Sequence, residues 1–291
     1  MMAVNRALHT NEYGLPLNTT EWLERHHLSK AYEREQMIRN LGIEQGSFVI
    51  DAGCGPGLWT QLLVEAIGPT GRVLGVDISC AALITAQERA AKAHYRQQVQ
   101  YKLAPLEQLP LSKGEADLIF CANVCQYFPT PVATFAAIGP YLKPNGRLAV
   151  KDMDLATMRF SHIDPDLQAR VFEARALWEQ ERMAWGYAFE DSWSGSKLAG
   201  HLRTAGYKNV QEKLYRIKRS FPLSENCRFY LLGLAEWFIS EGAPYLSHDD
   251  KARWLECFFG SNSCVLDLED FSYEETEYLV SGVWTAAPSH S

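Results

Sequence analysis

Val49-Ile50-Asp51-Ala52-Gly53-Cys54-Gly55-Pro56-Gly57 decides how this chain is read. A short run of buried-strand character enters a turn with glycines at alternate positions, and Leu58 to Ile67 continues with the apolar content of a helix. A glycine-rich turn between strand and helix presents backbone amides at a helix start, where a nucleotide-like ligand is favoured. Side chains there would block the backbone's approach to the ligand, and a tight turn asks for positive φ. The spacing narrows the ligand, because a dinucleotide fingerprint has its third glycine one position later, and that position is Leu58. Pro56 also removes one amide donor from a loop that would otherwise cradle pyrophosphate.

Asp77 ends a second apolar run, Val73-Leu74-Gly75-Val76, 24 positions after Gly53, at about the offset where a carboxylate accepts ribose hydroxyls. Alone, Asp77 reads equally well as a cap for the helix starting near Ser79. Working outward, short apolar runs alternate with helical stretches, the pattern of a parallel sheet with crossover helices. The strands expected are Phe48 to Ala52, Arg72 to Val76, Val99 to Leu103, Ala116 to Ala122, Gly146 to Met153 and Val210 to Lys218, with Glu277 to Thr285 closing an edge. Helices are expected at Leu58 to Ile67, Ser79 to Lys92, Val132 to Leu142 and Ser194 to Ala205. The fold class is therefore α/β and doubly wound.

Three segments exceed that pattern. Asn18 to Leu41 carries Trp22, Leu28, Tyr32 and Met37; Ala156 to Tyr187 holds a helix with Asp164 as cap, Pro165 in its first turn and Leu167, Val171, Ala174 and Trp178 on one face. Phe221 to Gly260 contains the apolar Arg228 to Ile239 and a helix begun by Ser247 with Asp250 three residues on. The last two follow strands and so leave the sheet where ligands of open α/β sheets bind, which suits a lid over a substrate chamber; padding of the core or a dimer face is the plainer alternative. The division expected is 1–42 as an N-terminal helical segment covering the site, 43–155 as cofactor-binding core, 156–193 as helical insertion, 194–220 as core, 221–265 as helical lid and 266–291 as core with the closing strand.

Composition sets the outer limits. With 47% hydrophobic against 22% charged residues, the chain can bury a sizeable core and is not disordered. Its formal charge of -7 provides no long-range attraction to phosphate polymers, so nucleic acid is not an expected partner. The seven cysteines form no CxxC pair, and several sit in apolar runs, which argues for a reducing compartment and against structural zinc. Met1 to Leu17 lacks a signal-peptide pattern, and no run reaches the roughly 18 apolar residues of a membrane span. A cytoplasmic location is expected, with the oligomeric state left open.

Val49 to Gly57, Gly75-Val76-Asp77-Ile78-Ser79 and Leu142-Lys143-Pro144-Asn145-Gly146 resemble, in order, the motifs of class I S-adenosylmethionine-dependent methyltransferases of the small-molecule type. The resemblance is strong over Leu41 to Val150 and looser beyond. It implies a seven-stranded sheet whose last strand runs antiparallel, with S-adenosylmethionine across the ends of the first two strands and S-adenosylhomocysteine as product. It places Gly53, Cys54, Gly55 and Gly57 around the methionine and ribose parts, Asp77 and Ile78 at ribose and adenine, and Asn123 with Val124 beside the methionine end. Ala104, Pro105 and Leu106 fall where many members have Gly-Asp-Ala. Pro105 cannot supply the acidic contact to the adenine amino group, leaving the Leu106 backbone or Glu107 to do so.

Methyl transfer from a sulfonium is an in-line displacement, so alignment and exclusion of water are the main tasks, and an oxygen or carbon acceptor can also require a base. Position nominates His26, His27, His162 and Asp154, with Asp152 on the same strand end; each reads equally as an ordinary solvent-facing, capping or structural residue. Asn123-Val124-Cys125-Gln126-Tyr127-Phe128 lacks the Asn/Asp-Pro-Pro-aromatic signature of base and glutamine methylation. No His-and-carboxylate metal set stands out, so no metal is expected. The leading expectation is methylation of an oxygen or carbon of a small, apolar or aromatic metabolite. Its alternatives are a non-methylating catalyst of cyclisation or rearrangement, a ligand-binding partner protein and, less favoured, an RNA methyltransferase.

Overall fold

Apolar strands alternating with amphipathic helices after residue 47 give the sheet its order. The computed structural model describes residues 9–10, 16–17, 19–184, 191–260 and 264–285. In chain order the elements are β1 (His9–Thr10), β2 (Pro16–Leu17), α1 (Thr20–Ser29), α2 (Ala31–Leu41), β3 (Phe48–Ala52), α3 (Thr60–Ile67), β4 (Arg72–Asp77), α4 (Cys80–Ala91), β5 (Val99–Leu103) and β6 (Ala116–Ala122). There follow α5 (Pro131–Ile138), β7 (Leu142–Met153), β8 (Arg159–Phe160), α6 (Pro165–Ala184), α7 (Leu198–Thr204), β9 (Lys208–Ser220), α8 (Glu225–Gly242), α9 (His248–Phe259) and β10 (Ser272–Val283). The chain forms two compact units: a sheet unit of Tyr32–Asp154, Ser192–Tyr215 and Glu277–Ser291, and a helical unit of Met1–Ala31, Leu155–Asp191 and Arg216–Thr276.

The sheet runs β5-β4-β3-β6-β7-β10-β8, with β9 also on β10. The pairs from β5 to β7 are parallel and β10 is antiparallel to β7. All five residues of β3 are buried, as a central strand covered on both faces requires. On one face Met37, Ile38 and Leu41 of α2 and Leu63, Val64 and Ile67 of α3 pack on Val49, Leu118 and Ala149. On the other, Phe135 and Ile138 of α5 and Leu198 and Leu202 of α7 pack on Ile50, Ile119, Leu148 and Val280. Each such side chain contributes about 1.5–3 kcal/mol on burial. Succession moves outward from β3 to β4 and β5, then returns to the other side of β3 with β6. The strand order thus reverses beside β3, and the crevice at the carboxyl ends there is where open α/β sheets bind ligands.

The seven expected strands are present, and the two-residue β8 adds an eighth. Leu142 begins a strand instead of ending a helix: α5 stops at Ile138, one 3-10 turn follows, and Leu142 pairs with Ala116. β10 begins five residues earlier than expected, at Ser272. The N-terminal segment breaks into two helices at Lys30, and while Trp22 and Met37 are buried, Leu28 and Tyr32 are exposed. Residues 185–187 of the expected insertion, 286–291 at the end of the last segment and most of 1–18 lie outside the described residues.

Within the helical unit, α6 and α9 are joined by Arg170 donating to both oxygens of Asp250 at 3.0 and 2.7 Å, and by Arg253 bound to Asp164 at 2.8 Å. Asp164 caps α6, accepting from the Asp166 amide, and Ser247 caps α9, accepting from the Asp250 amide. Trp254 is fully buried and donates its indole N–H to the Ala235 carbonyl at 2.9 Å. No helix among the described residues is long and apolar enough to cross a membrane.

Candidate active site

The glycine loop leaves β3 through three residues of positive φ: Gly53 at 72°, Gly55 at 51° and Gly57 at 76°. The Gly53 and Cys54 amides both donate to the Val76 carbonyl, at 2.7 and 3.1 Å, so the loop is pinned to the end of β4. From α4, Arg89 donates to the Pro56 carbonyl at 3.1 Å. Gly53 is required by contact as well as by φ, since a Cβ there would lie 2.4 Å from a Val124 methyl. That contact puts the loop following β6 against the loop following β3, at the point where the strand order reverses. At Gly55 the opposite holds: an added Cβ would meet nothing within 4 Å, so this half-buried residue borders open space.

Asp77 stands at the end of β4. Its Oδ2 accepts from the Gly55 amide and its Oδ1 from the Ser79 amide, both at 2.8 Å, which sets its carboxyl beside the glycine loop. A carboxylate offers about four acceptor sites, so these bonds leave capacity for ligand hydroxyls. Burial raises its pKa above the usual carboxylate value, opposed by the amides of Ser79, Gly55 and Ile78. Ser79 caps α4 by accepting from the Ala82 amide, and this releases Asp77 from the capping role that the sequence left open. The end of β5 is tied in through the Ala104 amide, which donates to the Asp77 carbonyl at 3.1 Å. Pro105 is exposed and extended, Leu106 is buried, and one oxygen of the exposed Glu107 accepts from Thr134 of α5 at 2.9 Å.

After β6, Asn123 adopts φ 57° and Val124 faces Gly53. The Asn123 amide donates to the Lys151 carbonyl at 2.8 Å, and the Gln126 amide donates to Asp152 Oδ2 at 3.2 Å. Gly53, Cys54, Gly55, Gly57, Asp77, Ile78, Pro105, Leu106, Asn123 and Val124 therefore all lie at the carboxyl ends of adjacent strands of the sheet unit.

The acid–base candidates divide between the units. Asp154 follows β7 in the sheet unit and is buried. His26 and His27 are buried in the last turn of α1, where His26 stacks on Tyr230 with ring centroids 4.5 Å apart and planes 6° from parallel. His162, at φ 62°, places Nε2 3.0 Å from Asp270 Oδ1. All three histidines belong to the helical unit. Cys54 is buried and its thiol pKa is pushed well up by burial, so it stays protonated and is no nucleophile. Among the described residues no group of His, Cys, Asp and Glu is arranged to hold a metal ion.

Of two further buried acids, Asp51 gained no role from the sequence and Asp152 was nominated there as a base beside Asp154. Asp51, the last residue but one of β3, is fully buried; Thr60 at the start of α3 donates to its Oδ2 at 2.6 Å, tying together the two ends of the glycine loop. Burial pushes its carboxyl up to about 7, against the lowering effect of Thr60 and with a further raise from Asp77. Asp152 is buried at the end of β7, and burial raises it to about 6 against the Lys151 charge and the Met153 and Gln126 amides. An acid one turn ahead of a glycine loop was a signal in plain view; the role of Asp152 depends on a tertiary contact.

A doubly wound sheet with a glycine loop at its reversal point and an acid on the neighbouring strand defines a Rossmann-like α/β protein. A methyltransferase-domain family profile matches residues 43–218. The chain belongs to that family, the class I S-adenosylmethionine-dependent methyltransferases. It is 31% identical over 174 residues to the trans-aconitate 2-methyltransferase of Azoarcus sp. (strain BH72), covering 57% of this chain and 66% of the relative. A putative methyltransferase from Bacillus halodurans shares the fold at TM-score 0.55 and 17% identity, over 87% of this chain and 99% of the other. Haemonchus contortus phosphoethanolamine N-methyltransferase 2, solved with phosphomonomethylethanolamine and S-adenosylhomocysteine, aligns at TM-score 0.51 and 13% identity, over 91% and 58%. The chain spans between 37% and 66% of the length of the first curated relatives it matches.

Proposed function

We propose that this chain transfers a methyl group from S-adenosylmethionine to an oxygen or carbon of a small organic metabolite, releasing S-adenosylhomocysteine. The observation that carries the reading is the open space at Gly55 within a loop of three positive-φ glycines, with the Asp77 carboxyl bonded to that same loop. Residues of this type fit an adenosine-bearing donor: bare backbone for close approach and a carboxylate with spare lone pairs for ribose hydroxyls. The name of the Azoarcus relative, a methyltransferase for trans-aconitate, supports a small acceptor.

When bound, the donor supplies an electrophilic methyl on a sulfonium, which leaves as a neutral thioether while the acceptor forms the new bond. Gly53, Gly55 and Gly57 would hold the methionine and ribose parts against backbone, Asp77 would accept from the ribose, and Ile78 and the Leu106 backbone would border the adenine. Pro105 has no side-chain donor or acceptor to offer, so the adenine amino group is left to backbone or to the free acceptor sites of Glu107, which takes one bond from Thr134. Asn123 and Val124 would bound the methionine end. An acceptor that must lose a proton needs a base, and Asp154, which shares the sheet unit with the loop, is the first to test.

Titration calorimetry with S-adenosylmethionine and S-adenosylhomocysteine is expected to show one-site binding of both, with Asp77→Asn weakening each by about tenfold. Labelled donor incubated with pools of small organic acids and aromatic metabolites should then yield a labelled product, and Asp154→Asn should slow its formation without changing donor affinity. Absence of binding by either donor or product would overturn the reading.

A further inference from the structure

Lys151 is fully buried on β7, and its ammonium is committed in two directions. It pairs with Glu277 of β10 at 2.7 Å, with both side chains 0% exposed, and it donates to Asn123 Oδ1 at 2.6 Å. The Lys151 carbonyl accepts from the Asn123 amide, so one residue holds Asn123 by backbone and by side chain. Asn123 stands at a φ of 57°, a left-handed conformation that asparagine tolerates better than most residues, and the two holds fix it there. Its neighbour Val124 is the side chain that closes against Gly53. The next residue of β7, Asp152, points to the other face of the sheet and accepts from the Gln126 amide, so the segment 123–126 straddles the strand end and is fixed on both sides.

A buried Lys–Glu pair is an expensive way to fill a core, since apolar residues of similar volume are often equally stable or more so. What an apolar pair cannot do is hold the Asn123 amide oxygen. On the donor reading given above, we propose that Lys151, neutralised by Glu277, is a positioning residue: it fixes Asn123 and the loop 123–126 against Gly53 and thereby shapes the methionine end of the donor site. The pair's stability and its effect on the site are then separable by substitution.

The test is the double variant Lys151→Met/Glu277→Leu, which removes both charges without leaving one buried alone. Its melting temperature should stay near that of the parent while its affinity for S-adenosylhomocysteine, by calorimetry, falls about tenfold. Asn123→Gly, which keeps the left-handed backbone and deletes the amide, should show the same loss, and combining the three changes should add nothing further. Hydrogen exchange in the absence of any ligand should show lost protection at the amides of positions 123 and 126 in the double variant and in Asn123→Gly alike, relative to the parent. A folded double variant, or Asn123→Gly, that binds as tightly as the parent overturns the proposal; should the double variant not fold, Asn123→Gly decides it. If the parent itself binds no donor, the donor reading fails, whereas the exchange measurement still reports whether Lys151 holds the loop.

Discussion

Of the three glutamates on β10, Glu275 and Glu277 stand at alternate positions and each is paired with a buried lysine, one in each unit. In the helical unit Glu275 lies 2.5 Å from Lys30 at 1% exposure for both, and Lys30 also donates to the Tyr230 hydroxyl at 3.2 Å and stands 4.7 Å from the centroid of that ring. In the sheet unit Glu277 pairs with Lys151, whose other bond goes to a loop residue of the candidate site. The first lysine ends on an aromatic core residue that itself stacks on His26 and meets Trp22 at a tilt. The second ends on a left-handed backbone position beside the glycine loop. The same pair of residue types is thus part of the packing in one unit and a support for the site in the other.

The largest effect that can break this contrast is on stability. Lys30→Met and Lys151→Met each leave a buried glutamate without its cation, and each is expected to cost about 3–5 kcal/mol in urea unfolding. They should part company in function: the folded fraction of Lys30→Met is expected to bind S-adenosylhomocysteine as the parent does, and that of Lys151→Met to bind more weakly. Equal loss of affinity in both would show that the Lys30 pair is no mere packing device.

The next effect is smaller and local to the site. Gly53→Ala forces a Cβ into Val124 at a φ of 72° and is expected to cost about 1–3 kcal/mol of stability. Gly55→Ala meets no protein atom, so it should cost only about 1 kcal/mol for its φ of 51°, yet place a methyl where the ligand would lie. The ratio of lost affinity to lost stability, from calorimetry and urea unfolding, should therefore be larger for Gly55→Ala; the reverse order would move the site away from Gly55.

The two halves of β10 also explain where the sequence was legible. Its second half reads as a strand because Leu279 and Val280 are apolar, whereas Tyr273, Glu275 and Glu277 alternate inward with carboxylates at positions where a period-2 reading looks for hydrophobes. Buried charges disguise strands, since only the distant lysines make them tolerable. β3 and β6 were bounded correctly because each is a short, mostly apolar run, and β5 because Val99, Tyr101 and Leu103 alternate with Gln100 and Lys102. The loops of the candidate site were legible from Gly53 to Asp77 because glycines and one acid carry that signal locally. The holds on Asn123 were not, because Lys151 and Glu277 come from strands far apart in sequence and nothing near either one shows the pairing.

Acid titration separates the units by sign. In the sheet unit Asp51, held at about 7 by burial, has its pKa raised from an ordinary 3.8, and Asp152 is raised likewise to about 6. A raised acid keeps its proton in the folded chain while the unfolded chain has lost it, so the stability present below about pH 4 is lost as pH rises through about 7, at no more than about 1.4 kcal/mol per pH unit for each proton. In the helical unit Asp164, hydrogen-bonded first of all to Arg253, and Asp250, bonded to Arg170, are lowered, so what they contribute is present above the ordinary carboxylate range and is lost as pH falls below it. Asp164 is exposed and screened, whereas Asp250 is largely buried beside Arg170; both titrate below the ordinary carboxylate value, outside the window in which the sheet-unit acids lose their protons. Hydrogen exchange followed from pH 5 to 8 and corrected for intrinsic rates should show protection declining in β3 and β6, and Asp51→Asn should flatten that decline while α6 and α9 are unchanged. If Asp51→Asn leaves the slope as it was, Asp51 is ionised in the folded chain, and the acid beneath the glycine loop would then carry a negative charge next to any cationic donor.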